Sequence, residues 1–299
     1  MVPGKDTRST EHLPQAKASK RSSQHAAMLV GAASQELSGS DFPALDAVAG
    51  PWTVRRSYGS QTDGIPRSFA NSVAGIDVGK RASVLSLKPD LTAMANGSLD
   101  AAVISFVKSI PSGHRTFLTI WHEADGKIRS GKFTLEAWMA AFKRFCDLVH
   151  RAGGPFVYTA LILEAWSGQQ PKPGSTYEEL WPGRDATGCP YADVFAVDGS
   201  SDSGSGESLW GPARKFAKHV GVPWAVAEMG CKVELSVDWM ARNAVYVADH
   251  SAEFLCWFSN DNNAVATPGT DPAADARSHQ ISLAYHTDPG TYVLPRPRR

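Results

Sequence analysis

Thr116-Phe117-Leu118-Thr119-Ile120-Trp121-His122-Glu123 is a run of apolar and β-branched residues that ends on a carboxylate. Val222-Pro223-Trp224-Ala225-Val226-Ala227-Glu228-Met229-Gly230 repeats the arrangement later in the chain. Runs of this kind, bounded by Gly and Pro, are buried strands. A carboxylate just past a buried strand says little in most folds. In an α/β barrel it marks a site, because the carboxyl ends of all the strands open on one face.

Outward from these two runs, short apolar stretches alternate with segments of helical period. Met28–Ala33, Thr53–Tyr58 and Ala82–Leu87 read as the first three strands, with a short helix over Phe42–Ala49 that stops at Gly50-Pro51. Ser98 reads as the N-cap of a helix striped by Val103, Phe106, Val107 and Ile110. Thr134 caps the clearest helix, where Leu135, Trp138, Met139, Phe142, Phe145, Cys146 and Val149 recur at three- and four-residue steps. Strand five spans Phe156–Leu163 and precedes a long Gly/Pro/Gln-rich loop, and strand six is Asp193–Val197. A helix over Leu209–Val220 leads to the Glu228 strand; Ser236 caps the next helix, strand eight is Glu253–Phe258, and Asp275–His286 is the last helix. Eight strand–helix units without a Gly-rich dinucleotide turn predict a single-domain (β/α)8 TIM barrel over residues 27–290.

Residues 1–26 are rich in Lys, Ser, Gln and Thr and poor in large apolar side chains. Such a segment cannot offset its ordering entropy and is expected to be a disordered tail; residues 291–299 form a Pro/Arg-rich C-terminal tail. No signal peptide is evident, and a secreted chain would need a leader already removed. The chain of 299 residues has a formal net charge of zero. That balance argues against nucleic-acid and membrane-surface partners, and no apolar run approaches the ~20 residues of a membrane span. Cys146, Cys189, Cys231 and Cys256 show no metal-type spacing. Cys146 and Cys256 read as buried thiols, and a Cys189–Cys231 bridge is left open. Neither a metal nor another cofactor is expected, and the chain is expected to be a monomer.

If the strands close a barrel, the residues just past them converge. That places Arg55, Arg56 and Tyr58, then Lys88, then His122 and Glu123, then Glu164 and Trp166 at one mouth. The later strands add Asp198, Glu228, Trp257, Asn260 and Asp261, with Trp181 in the long loop above. Aromatic platforms among carboxylates suit a sugar, which presents apolar C–H faces and a rim of hydroxyls. Glycosidic cleavage needs an acid on the leaving oxygen and a second carboxylate on the opposite face of the ring; carboxyls about 5–5.5 Å apart give retention and wider pairs inversion. Glu123 and Glu228 are the candidate pair. His122, Trp257, Trp166, Trp181, Asp198, Lys88 and Tyr58 are the candidate substrate contacts.

Trp121-His122-Glu123 on strand four together with Ala227-Glu228-Met229-Gly230 on strand seven resembles glycoside hydrolase family 26, a clan A group of (β/α)8 enzymes dominated by β-mannanases. Leu180-Trp181-Pro182-Gly183 followed by Tyr191-Ala192-Asp193-Val194 is similar to the family's Tyr-Pro-Gly segment leading into strand six. The resemblance implies Glu123 as acid/base, Glu228 as nucleophile, Trp257 as a sugar-stacking ring, and a retaining, endo-acting β-glycoside hydrolase on a polysaccharide or oligosaccharide. Thr119 stands where the family's mannanases carry Arg, and Asp198-Gly199-Ser200 stands where a strand-six Tyr is expected. Those differences motivate a second reading, a catalytically weak or inactive barrel serving as a carbohydrate-binding or structural module. An aldolase- or isomerase-type barrel would want a Schiff-base Lys or a metal triad, and only Lys88 offers itself.

Overall fold

The computed structural model describes residues 28–34, 42–59, 64–231, 237–259, 268 and 272–285. Both expected tails, the Ser236 cap, Asn260 and Asp261 lie outside them.

Eight parallel strands close a barrel in sequence order. They are β1 (Leu29–Ser34), β2 (Val54–Tyr58), β3 (Ala82–Leu87), β4 (Thr116–Ile120), β5 (Val157–Glu164), β6 (Val194–Ser200), β7 (Trp224–Gly230) and β8 (Phe254–Ser259). The helices are α1 (Phe42–Ala49), α2 (Leu91–Asn96), α3 (Asp100–Lys108), α4 (Ala124–Arg129) and α5 (Leu135–Ala152), followed by α6 (Ala165–Gln169), α7 (Tyr177–Leu180), α8 (Gly206–Val220), α9 (Val237–Asp249) and α10 (Pro272–Ala284). The expected (β/α)8 barrel is what the chain forms. Among the described residues no helix is long and apolar enough to cross a membrane.

Strand alternation divides the apolar residues into two layers. Leu29, Val54, Val84, Ile162, Ala196 and Cys256 belong to the cluster that fills the barrel. Within it the Phe117 ring lies 5.3 Å from Tyr158 and 4.9 Å from Phe254. The intervening strand residues, such as Leu85, Leu118, Leu161 and Leu255, join the helices in the larger outer core. The interior is therefore packed, and only its mouth is open to a ligand. Closure runs through Gly31, where a Cβ would stand 1.6 Å from the carbonyl oxygen of Val54.

Several local expectations change. No α-helix stands between β2 and β3 among the described residues; 3-10 turns at Phe69–Asn71 and Gly75–Asp77 stand there instead. Arg55, expected at the mouth, faces outward into this region because alternation turns Val54, Arg56 and Tyr58 inward. Its guanidinium sits 4.2 Å from the Phe42 ring centroid and 4.0 Å from Asp77. Ser98 does not cap α3. Its N–H and hydroxyl donate to Asn96, and Leu99 takes the N-cap position. The short helix α2, capped by Asp90 and ended by Gly97 at φ 91°, precedes it. Thr134 caps α5 as expected, accepting from the Ala137 N–H at 3.2 Å.

Candidate active site

Two backbone irregularities deliver the two glutamates. On β7, Val226 pairs with Val197, but the next pair is Glu228 with Asp198, so β7 carries one extra residue. The β8 side agrees, pairing Val226 with Leu255 and Met229 with Trp257. This bulge keeps Ala227 in the barrel filling and turns the following Glu228 into the mouth as well, while Met229 faces the helices. On the other side, Trp121 and Glu123 both adopt left-handed backbone, at φ 49° and φ 54°. Non-glycine residues pay about 1–3 kcal/mol each for that conformation, which persists where surroundings hold it. Here the Glu123 N–H donates to Ile162 O at 2.9 Å, and the Trp121 indole donates to Pro89 O at 2.8 Å. Between the two residues His122 is pinned at the mouth.

The result is one cavity of about 390 Å³ walled by His122, Glu123, Glu164, Asp198 and Glu228. Trp166, Asp202 and Phe258 also border it, and Cys231 forms part of its wall. All four cysteines are buried, as expected for Cys146 and Cys256.

Glu228 is the most elaborately held of the acids. The Tyr58 hydroxyl donates to its Oε1 at 2.5 Å, and the guanidinium of Arg56 stands 3.7 Å from the same oxygen. Arg56 is fully buried, donates to Ser86 Oγ at 2.7 Å, and lies 4.6 Å from the Tyr58 ring centroid. Burial pushes the Glu228 carboxyl up to about 7, with Arg56 and Tyr58 pulling it down and Glu123 pushing it up. Asp198, its partner across the strands, is raised well above the carboxylate range by burial and by Glu228. Both Asp198 oxygens are buried without a hydrogen-bond partner among the described residues. Tyr58 itself is raised by burial and then by the Glu228 charge, so it stays a donor.

Glu123 is more open and pairs with Lys127 at 3.5 Å, one helical turn along α4. Burial, then Arg56, Lys88 and Lys127, lower His122 well below its usual value and keep it neutral. Its Nδ1 is buried without a partner among the described residues, and its ring lies 5.1 Å from that of Tyr58. Glu164 is bound by Arg129, which also donates to Ser167 at 2.7 Å. Beneath them Asp125 accepts from the Glu164 N–H at 3.0 Å and is raised to about 7 by burial and then by Glu164.

Of the residues singled out in the sequence, Glu123, Glu228, His122, Asp198 and Trp166 line the cavity. Tyr58 stands behind them on Glu228. Lys88 is half-buried, lowered first by burial, and does not line the cavity. Trp257 is fully buried in the outer core: alternation turns its neighbours Cys256 and Phe258 inward and Trp257 toward the helices. Trp181 packs edge-on against Phe216 at 6.1 Å, away from the mouth. Glu164 and Arg56 carry more of the site than sequence reasoning gave them. A charged residue at an inward position, between Val54 and Tyr58 on the alternating face of β2, was the available signal for Arg56. His122, Asp198 and Glu228 offer ligand atoms within 4.8 Å of one another and are the residues that could hold a metal ion.

Fold and site together define a (β/α)8 barrel with a carboxylate-lined cavity at the carboxyl ends of its strands. In sequence, no protein-family model and no curated protein matches the chain. In structure it is similar to a GH26 β-mannanase from Bacteroides ovatus, with 12% identity over 90% of both chains and a TM-score of 0.57. It is also similar to the Bacillus subtilis mannanase BCman, with 12% identity over 89% of this chain and 87% of that one at a TM-score of 0.57. A glucosidase from Croceicoccus marinus matches with 11% identity over 88% of this chain and 69% of that one at a TM-score of 0.62. Likeness at this identity shows the barrel fold.

Proposed function

We propose that the protein is a β-glycoside hydrolase of the clan A type, with Glu228 as nucleophile and Glu123 as acid/base. The observation that carries this reading is the convergence of two glutamates, from β4 and β7, on one cavity, with Arg56 and Tyr58 contacting Glu228 of the two. The asymmetry suits the two roles. A nucleophile must be ionised and fixed, and Glu228 has a buried guanidinium and a phenol on one oxygen. An acid/base must exchange protons with solvent, and Glu123 is the more open of the two, with side-chain exposures of 28% against 12%. Attack by Glu228 on the anomeric carbon, with Glu123 protonating the leaving oxygen, would give a covalent glycosyl-enzyme; water activated by Glu123 would release the sugar with retained configuration. Mannanases and a glucosidase among the similar structures point the same way.

The test is a hydrolysis panel of β-mannan, β-glucan, β-xylan and chitosan with wild type, Glu123→Gln and Glu228→Gln. Cleavage of any member, lost by at least ~10³-fold in both variants, supports the reading, and NMR of the first product decides retention. No cleavage of any member favours a non-catalytic carbohydrate-binding barrel.

A further inference from the structure

Among the described residues the cavity wall carries five carboxylates, Glu123, Glu164, Asp198, Asp202 and Glu228, and no lysine or arginine. Most of that charge is already answered from behind. Glu123 meets Lys127, Glu164 meets Arg129, and Glu228 meets Arg56 and Tyr58; Asp202 accepts from Ser200. Asp198 is different, with the attraction of Arg56 but no direct contact to it. It is 5% exposed, it lines the cavity, and neither of its oxygens has a hydrogen-bond partner among the described residues. A buried carboxylate without partners is costly and is retained where a ligand completes it. Beside it, neutral His122 holds Nδ1 without a partner among those residues.

The Asp198 oxygens, with the unprotonated nitrogen of the neutral His122 ring, match an ammonium group, which has several N–H donors and one positive charge. Acceptors about 2.8 Å from one nitrogen, at tetrahedral angles, stand about 4.6 Å apart. The ligand atoms of His122, Asp198 and Glu228 lie within 4.8 Å of one another. A fixed guanidinium 3.7 Å from Glu228 opposes a divalent ion more than a singly charged one. On the glycosidase reading above, we propose that the cavity takes a sugar bearing a free amino group, with Asp198 recognising its ammonium beside His122. The substrate class is then a β-linked polymer of deacetylated amino sugars.

Binding also has a proton consequence. Burial holds a proton on the Asp198–Glu228 pair near neutrality, and an ammonium lodged on Asp198 displaces it to solvent.

Calorimetric titration of the full chain at pH 6 with glucosamine tetramer, N-acetylglucosamine tetramer and mannotetraose tests this. The expected result is binding of the glucosamine tetramer at least ~10-fold tighter than either neutral oligomer, with heats that differ between two buffers of unlike ionisation enthalpy. Asp198→Asn, of the same shape, should abolish both the preference and the buffer dependence while circular dichroism stays unchanged. If Asp198→Asn does not fold, His122→Ala is expected to weaken the same preference. Equal binding of the acetylated tetramer, or a preference that survives Asp198→Asn, would overturn the proposal. So would Zn2+ binding that both variants abolish in a chain without amine preference. Cleavage of mannan with no amine preference sinks this inference and leaves the glycosidase standing. Amine binding without cleavage of any polymer does the reverse.

Discussion

Asp198 and Glu228 are register partners on β6 and β7, and the extra residue in β7 turns Glu228 into the cavity that Asp198 enters by regular alternation. Two buried carboxyls therefore share a wall with one buried guanidinium, that of Arg56. The titration of the site follows from burial first and from this shortage of positive charge second.

The pH dependence of hydrolysis should have its ascending limb close to pH 7. Glu228 must be ionised to attack, and its carboxyl is pushed up to about 7, so kcat/KM rises with pH through that value. Tyr58→Phe removes a hydrogen bond that favours the ionised form and should move the limb upward. A pH profile of kcat/KM for both chains checks it; a limb that falls through pH 7 would exchange the roles of the two glutamates.

Stability should run the opposite way to activity. The native Glu228 carboxyl holds its proton up to about 7, whereas the unfolded side chain releases it near 4.5. Between those values the folded state binds more protons, so stability declines as pH rises. Glu228→Gln should therefore raise stability at pH 8 by about 1–3 kcal/mol and leave it nearly unchanged at pH 4. Urea unfolding at the two pH values reads this directly.

Arg56→Met should be the most damaging single change at the mouth. It leaves Asp198 and Glu228 facing each other without their buried cation, a change that costs about 3–5 kcal/mol when a buried pair is broken. Thermal and urea denaturation measure the loss, and substrate-free conditions suffice. A cost below about 1 kcal/mol would show that the guanidinium is not holding the carboxylates.

The three tryptophans should separate by assay. Trp166→Ala, at the cavity edge, should raise KM about 10-fold with little change in stability. Trp257→Ala, in the sealed outer core, should cost about 3–5 kcal/mol of stability. Trp181→Ala should lower stability through the lost Phe216 contact without a specific effect on KM.

The barrel was legible in the sequence because its strands are short apolar runs punctuated by Gly and Pro, and period alone separates them from helices such as α5. Glu123 and Glu228 stood out for the same reason, as charges closing apolar runs. Side-chain direction was less accessible. Regular alternation would have sent Glu228 outward with its neighbour Ala227 inward; a bulge is invisible to a period count. The same alternation, applied strictly, would have removed Trp257 and Arg55 from the mouth and raised Arg56 within it. Asp198 was found by position, but its lack of partners depends on three-dimensional contacts that no spacing encodes. The short helices α2, α4, α6 and α7 escaped notice because six residues or fewer carry too little period to distinguish from loop.

The left-handed turn at Trp121 and Glu123 and the extra residue in β7 mean that neither glutamate owes its direction to strand geometry. Writing His-Glu and Ala-Glu at the matching positions of an idealised barrel would leave one or both carboxyls pointing into the helical shell. A graft of this site must carry the backbone of both strand ends with it, including the partners that hold those turns: the Pro89 and Ile162 carbonyls. The heritable unit here is a pair of shaped chain segments, and the glutamates are their contents.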